Sequence, residues 1–338
     1  MHSAKILLIY TGGTIGMIKN REGFLEPISQ QKLLDYLPEI SRLTAEVSCI
    51  STSYIKDSSE IDKEDWLELA QLIQSNYSKY DGFVVLHGTD TMTYTSSALS
   101  FMLEGLIKPI IFTGSQLPIG VVRSDARENL TTAIEITAHQ TDGEPTVQEV
   151  AIFFENELLR ANRSIKNHTE NFDAFISPNF PALANSGVEL RFNYDKLLRP
   201  LKKELSISTR LLNEIGLLIE HPEISDAIYS SYFNIQHHKV VVIETYGMGN
   251  INLSVHKSNC IKNYINQGGL VVAISQCNYG EINFSKYKTG SQLSKLGVLN
   301  GGNHTRFSIL TKLITRFYDF GNQDIAELIE SSVSGEIN

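Results

Sequence analysis

Short, wholly apolar runs punctuate the chain, and between them apolar residues recur every three or four positions. The runs are Ile6–Tyr10, Phe83–Leu86, Ile110–Phe112, Val240–Ile243 and Leu270–Ile274. Each leads into a polar turn: Thr11-Gly12-Gly13-Thr14, His87-Gly88-Thr89-Asp90-Thr91, Thr113-Gly114-Ser115-Gln116, Tyr246-Gly247-Met248-Gly249-Asn250 and Ser275-Gln276-Cys277. Unbroken apolar runs of this length suit strands covered on both faces, as in parallel sheets. Trp66, Leu69, Ala70, Ile73 and Tyr77 fall on one helical face, with Asp62 as N-cap and Glu64 and Asp65 in the first turn. Further helices are expected over Tyr94–Leu103 and Ala126–Ala138, the latter with Ala126, Leu130, Ala133, Ile134 and Thr137 on a shared face.

Strand alternating with helix reads as a doubly wound α/β fold. The alternation falters at "RFNYDKLLRPLKKELSISTR" and restarts at Ile215–Ile219. The expected organisation is two α/β domains with mainly parallel sheets. A larger, flavodoxin-like catalytic domain would span 1–190, a linker 191–212, and a smaller domain 213–338.

The 338 residues exceed what one compact core usually holds, in keeping with two domains. The net charge of −9, with no Lys/Arg run, argues against nucleic acid as a partner. No stretch approaches the ~20 apolar residues of a membrane span. Only Lys5 precedes the first apolar run, and no small-residue cleavage site follows it before the glycine turn, which does not read as a signal peptide. Cys49, Cys260 and Cys277 are widely spaced and form no metal-type pair. A reduced, cytoplasmic protein is expected.

In open α/β sheets, ligands bind beyond the carboxyl ends of the strands at a switch in strand order. The turns after the strands are therefore the candidate site, and two of them are dense in hydroxyls. "TGGTIG" holds only a fragment of the dinucleotide fingerprint, and no phosphate loop of the G-x-x-x-x-G-K type occurs. Thr14 could instead be a nucleophile on a tight turn, provided a neighbour takes its proton. Thr14, Thr89 or Thr91 could equally do no more than cap the helices that follow. His87 invites a general-base role by type alone.

Taken jointly, these segments resemble the L-asparaginase family, in its bacterial cytoplasmic type I branch. "TGGTIG" and "LHGTDTMTYTSSALSFML" are similar to the family's two signatures, and "DSSEI" to its substrate-binding turn. "ANRSIKNHTENFDAFISPN" resembles the segment bearing the active lysine, and "ETYGMGN" and "GGLVVAISQC" resemble the C-terminal domain.

The resemblance implies hydrolysis of the side-chain amide of L-asparagine through an acyl-enzyme, without metal or organic cofactor. It makes Thr14 the nucleophile, Thr11 a supporting turn residue, and Thr89 with Lys166 the second catalytic pair. Asp90 would hold the substrate's α-ammonium, and Asp57, Ser58 and Ser59 would surround its α-carboxylate. Gly88 and the backbone near Thr89 would face the oxyanion, while Ser115 would contact the leaving amide. His87 would orient its turn by hydrogen bonds.

Two departures from the family pattern stand out. Phe24 occupies the lid position where many members carry tyrosine, so a slower enzyme is expected, or one that takes its hydroxyl from elsewhere, such as Tyr10. Ile165, Glu244 and Cys277 stand where some members bind a regulatory asparagine, so cooperativity is expected to be weak or absent. A homodimer or homotetramer is implied, in which Asn250 reads as a turn residue rather than a cross-subunit contact. Competing readings are a glutaminase-leaning amidase, the asparaginase-like subunit of a tRNA amidotransferase, and a non-catalytic amino-acid binder on the same scaffold.

Overall fold

The structure is a computed structural model and describes residues 3–19, 22–23, 25–28, 30–36, 38, 40, 43–200, 204–320 and 325–338. The chain divides into two compact units between Thr209 and Arg210, inside the 191–212 stretch where the alternation falters.

The first unit is built on an eight-stranded sheet. Its strands are β1 (Ala4–Gly12), β2 (Ala45–Lys56), β3 (Gly82–Leu86), β4 (Ile110–Thr113), β5 (Val150–Phe154), β6 (Glu157–Arg160), β7 (Ala184–Ser186) and β8 (Leu190–Phe192). They lie in the order β8-β7-β6-β5-β4-β3-β1-β2. Strands β2-β1-β3-β4-β5 are parallel and follow the flavodoxin-like order. The antiparallel strands β6, β7 and β8 extend the β5 edge. Ile6–Tyr10 and Phe83–Leu86 have no exposed surface.

Helix α1 (Lys63–Asn76) starts with a capping box: the Asp62 carboxylate accepts from the N–H groups of Glu64 and Asp65, and Asp65 accepts from Asp62 N–H. Helix α2 spans Met92–Met102, two residues earlier at its start than the apolar pattern suggests. Ten of its eleven residues are buried, so its serines and threonines are interior residues and blur the amphipathic signal. Helix α3 spans Ala126–Ala138 and buries its whole expected apolar face.

The second unit has a four-stranded parallel sheet, β9 (Ile215–Ile219), β10 (Val240–Thr245), β11 (Leu270–Ser275) and β12 (Leu299–Asn300), ordered as in the chain. Its helices are α4 (Asp226–Tyr232), α5 (Val255–Asn266), α6 (Lys288–Lys295) and α7 (Arg306–Arg316). Ser225, Ser254 and Thr305 cap α4, α5 and α7 through their hydroxyls. Asn250 closes the turn after β10 through backbone bonds with Tyr246, and its side chain accepts from the Thr289 hydroxyl, which fits the turn-residue reading. Among the described residues, no helix is long and apolar enough to cross a membrane, and no cluster of three metal-type ligands occurs.

Candidate active site

The strand order reverses between β1 and β3, and the turns beyond their carboxyl ends are TGGT and HGTDT. These turns touch through glycine backbone. A Cβ on Gly13 would lie 2.4 Å from Gly88 N, and one on Gly114 would lie 2.4 Å from His87 O. A Cβ on Gly88 would lie 2.5 Å from Ser58 Oγ. No side chain fits at these crossings, so the glycines fix how closely the turns approach one another. Gly13 also has φ 84°, a conformation that disfavours a side chain independently of space.

The Asp57-Ser58-Ser59 turn arrives by an irregularity in the sheet. Tyr10 pairs with Ser51, but Gly12 pairs with Lys56, so β2 spends extra residues and carries its end up beside the glycine turn. Thr91 Oγ1 donates to Ser58 O at 2.6 Å and locks this turn to HGTDT. The Lys56 ammonium is held by both carboxylate oxygens of Asp65 at 2.8 Å, tying the same turn to the start of α1. Asp57 accepts from both N–H and hydroxyl of Ser59, and these bonds hold its carboxyl below the usual carboxylate range.

The capping alternative fails for all three threonines. The short 3-10 turn at Thr14–Gly16 takes Gly13 as its N-cap, so Thr14 is its first residue and caps nothing. Thr91 is the N-cap of α2, yet its hydroxyl is turned to Ser58 and makes no cap bond. Thr89 Oγ1 instead receives the Lys166 ammonium at 2.8 Å. Lys166 Nζ also meets Asp90 Oδ1 at 2.6 Å. The lysine side chain is largely enclosed, 16% exposed, whereas that of Asp90 is 64% exposed. Thr89, Asp90 and Lys166 therefore form one cluster, on the turn that packs against the Thr14 turn.

Lys166 is delivered by a short hairpin in which Ile165–Lys166 pairs with Phe175–Ile176. The approach to it is held by buried contacts. Arg160 is buried in an ion pair with Glu149 at 2.6 Å, and the guanidinium groups of Arg160 and Arg163 lie over the Phe180 ring. Beyond the hairpin's first strand, Gln116 Nε2 donates to Asn171 O at 2.9 Å and joins that loop to the third turn. Asp125 and Asn129 of the α3 N-terminus brace the third turn through Gln116 N, Leu117 N and Gly114 O. Ser115 is buried, and its hydroxyl donates to Leu117 O at 2.6 Å, which leaves it committed to the turn itself. Asp125 and Asn129 have no signature of their own in the sequence, and Asp65 and Thr91 show there only as helix-start residues, not as braces of the site. Their partners lie across turns whose adjacency only the fold creates.

Two further residues are settled by burial. Tyr10 has no exposed surface and donates its hydroxyl to Gly16 O at 2.9 Å, so it supports the Thr14 turn from below and supplies no hydroxyl to a ligand. That corrects its expected role as a stand-in for a lid phenol. Phe24, the expected lid residue, lies outside the described residues. Thr11 likewise supports the turn, donating to Leu86 O at 2.8 Å.

His87 is wholly enclosed. Its Nδ1 donates to Gly88 O at 2.7 Å, and its buried Nε2 has no hydrogen-bond partner among the described residues. Burial pulls the imidazole down to about 4, against a smaller opposing effect of the Gly88 bond. His87 is therefore neutral at neutral pH and holds the turn. The unfolded chain binds a proton near pH 6.5, well before the folded one does. Stability contributed by the neutral ring is thus full above pH 6.5 and is lost as pH falls through about 4. Urea unfolding at pH 7 and pH 4.5 should show an acid loss roughly 2–3 kcal/mol larger in wild type than in His87→Gln. Equal losses in the two proteins would remove His87 as the cause.

Comparison with known proteins places this geometry in context. The model for the asparaginase N-terminal domain matches residues 5–198, and the model for the glutaminase/asparaginase C-terminal domain matches residues 214–325. L-asparaginase 1 of Escherichia coli (strain K12) is 36% identical, over 100% of this chain and 99% of that protein. The crystal structure of L-asparaginase I from Vibrio cholerae superposes with TM-score 0.90 at 33% identity, covering 100% of both chains. The thermostable L-asparaginase from Thermococcus kodakarensis gives TM-score 0.89 at 28% identity, covering 99% of both chains. Sequence and fold agree along the whole length, and the chain belongs to the asparaginase family.

Proposed function

We propose that this protein hydrolyses the side-chain amide of L-asparagine to L-aspartate and ammonia, with Thr14 as nucleophile. The observation that carries the reading is the Thr89–Lys166–Asp90 cluster, set against the Thr14 turn by the Gly13–Gly88 crossing. A hydroxyl on a constrained turn next to a lysine-linked hydroxyl is an arrangement suited to acyl transfer.

Thr14 Oγ attacks the amide carbon, and the carbonyl oxygen becomes an oxyanion that the N–H groups of Gly88 and Thr89 stabilise, at ~3 kcal/mol per donor. The tetrahedral species collapses and ammonia leaves, taking the proton that Thr14 gave up. The Ser115 turn lies towards the leaving amide and contacts it through its carbonyl. Water then attacks the β-acyl ester. Its proton passes to Thr89 as the Thr89 proton passes to Lys166, and collapse returns a proton to Thr14. Lys166 must shed its proton for this relay, because an ammonium has no lone pair to accept with. Asp90 spends one carboxylate oxygen on Lys166 and offers the other to the substrate's α-ammonium. Asp57, Ser58 and Ser59 surround the α-carboxylate.

Regulation by a second asparagine is expected to be weak. Ile165 is buried in the lysine hairpin, and the Glu244 carboxylate is occupied by Arg306 at 2.5 and 2.6 Å. Phe24 as a lid without a phenol, a cytoplasmic setting and a homodimer or homotetramer complete the reading. All three cysteines are free, which suits a reducing compartment.

Ammonia release from L-asparagine, L-glutamine and D-asparagine, with no added cofactor, tests the proposal. L-asparagine should lead L-glutamine in kcat/KM by at least about tenfold, since one methylene is worth ~1–3 kcal/mol in a fitted pocket. Equal rates would make the enzyme a general amidase, and no ammonia from any of the three would make it a binding protein.

A further inference from the structure

Outside the candidate site, the second unit brings a thiol, an imidazole and a hydroxyl together at the surface. His256 and Cys260 stand one turn apart on α5, and Ser230 faces them from α4. His256 Nε2 lies 3.3 Å from Cys260 Sγ and 3.0 Å from Ser230 Oγ, and the two latter atoms are 3.8 Å apart. Ser230 also donates its hydroxyl hydrogen to Asp226 O at 3.0 Å. A hydroxyl has one hydrogen to give. With that hydrogen on Asp226, the Ser230 oxygen can only accept from the ring, so Nε2 carries a proton. A protonated Nε2 in contact with sulfur is a partner for a thiolate.

We propose that Cys260 is a thiol-modification site that takes small disulfides of the glutathione class, with His256 as the residue that holds its thiolate. The Cys260 thiol gives its proton to solvent, and the Nε2–H of His256, with nitrogen 3.3 Å from sulfur, donates to the thiolate that forms. The thiolate attacks one sulfur of the disulfide, a new sulfur–sulfur bond forms to Cys260, and the original one breaks. The departing thiolate takes a proton from solvent, and the incoming disulfide is itself the oxidant.

The other two cysteines supply internal comparisons. Cys49 is partly buried on β2, and burial pushes its thiol up to about 12, which keeps it inert. Cys277 is more exposed than Cys260, and no imidazole contacts its sulfur among the described residues. Exposure alone therefore predicts that Cys277 reacts first, whereas the cluster predicts Cys260. His256 and Ser230 are exposed, so a disulfide reaches the cluster without unfolding. The inner side of the same helix pair is closed by Glu220, which accepts from Tyr229 OH at 2.6 Å and pairs with Lys257 at 3.0 Å.

The experiment is incubation of the reduced full chain with oxidised glutathione, followed over time by peptide-level mass spectrometry. Cys260 should acquire the mixed disulfide about tenfold faster than Cys277. His256→Gln should slow Cys260 about tenfold and leave the Cys277 rate unchanged. Ser230→Ala, a second exposed and conservative change, should also slow Cys260, because the ring proton loses its acceptor. Labelling of Cys277 first, no labelling of Cys260, or a His256→Gln rate equal to wild type would overturn the proposal. None of these outcomes depends on whether asparagine is the substrate.

Discussion

Replacing Thr14 by alanine is expected to lower kcat for ammonia release by about 10⁴-fold or more, with the fold intact. Removal of a nucleophile that acts with its base as a unit leaves only binding and oxyanion stabilisation. The substitution should be silent for stability, because the backbone around Thr14 is set by other groups. Gly13 is the N-cap, Gly16 N–H donates to Gly13 O at 3.2 Å, and the Tyr10 hydroxyl and Ile28 N–H both donate to Gly16 O. A thermal melt within a few degrees of wild type and an initial-rate ammonia assay make the pair of measurements. Thr14→Ser should keep measurable activity, since the hydroxyl remains. If alanine retains a tenth of wild-type kcat, the nucleophile lies elsewhere, and Thr89 is the next candidate.

Lys166→Met should lower kcat by about 10³-fold, the middle of the range for a positioned proton carrier, while KM moves little. Methionine approximates the length of the stem without the charge, so the hairpin should stay packed. The Lys166–Asp90 pair adds little stability, because Asp90 is largely solvated and an exposed pair is worth under about 1 kcal/mol. Asp90→Asn should give the opposite split, with KM raised more than kcat is lowered, because its second oxygen serves the substrate. Lys166→Arg separates charge from proton transfer. Arginine keeps the cation but stays protonated, so it should be nearly as inactive as methionine. Recovery of a tenth or more of wild-type kcat by arginine would recast Lys166 as an electrostatic group.

The strands of the two sheets were not equally legible. β1, β3, β4, β10 and β11 show as solid apolar runs because both of their faces are covered. β2 is an edge strand whose burial alternates, and its serines at 48, 51 and 53 hide it in a polar stretch. Strands β6, β7 and β8 are only three or four residues long, too short for a period to show. The Asp62 cap and the α3 boundaries were readable because caps and helical faces are local devices. The start of α2 was misplaced by two residues because Met92 and Thr93 carry no period of their own.

The functional residues divide in the same way. Thr14, Thr89, Asp90 and Lys166 were named through the resemblance of their motifs, and the tertiary structure brings three of them into direct contact. Among the supporting residues, Asp125 and Asn129 went unnamed, Thr91 was read only as a cap and Asp65 only as a first-turn acid, and Tyr10 was offered as a stand-in for the lid phenol when it belongs beneath the turn. By itself, the amino-acid order determined the strands covered on both faces, three helices of the first unit and the turns that carry chemistry, because backbone propensity and burial act over a few residues. Only the tertiary structure decided that Lys166 meets a threonine 77 positions earlier. That meeting depends on strand order, the β1–β2 register shift and three glycine crossings, and each of these is a contact between segments far apart in the chain.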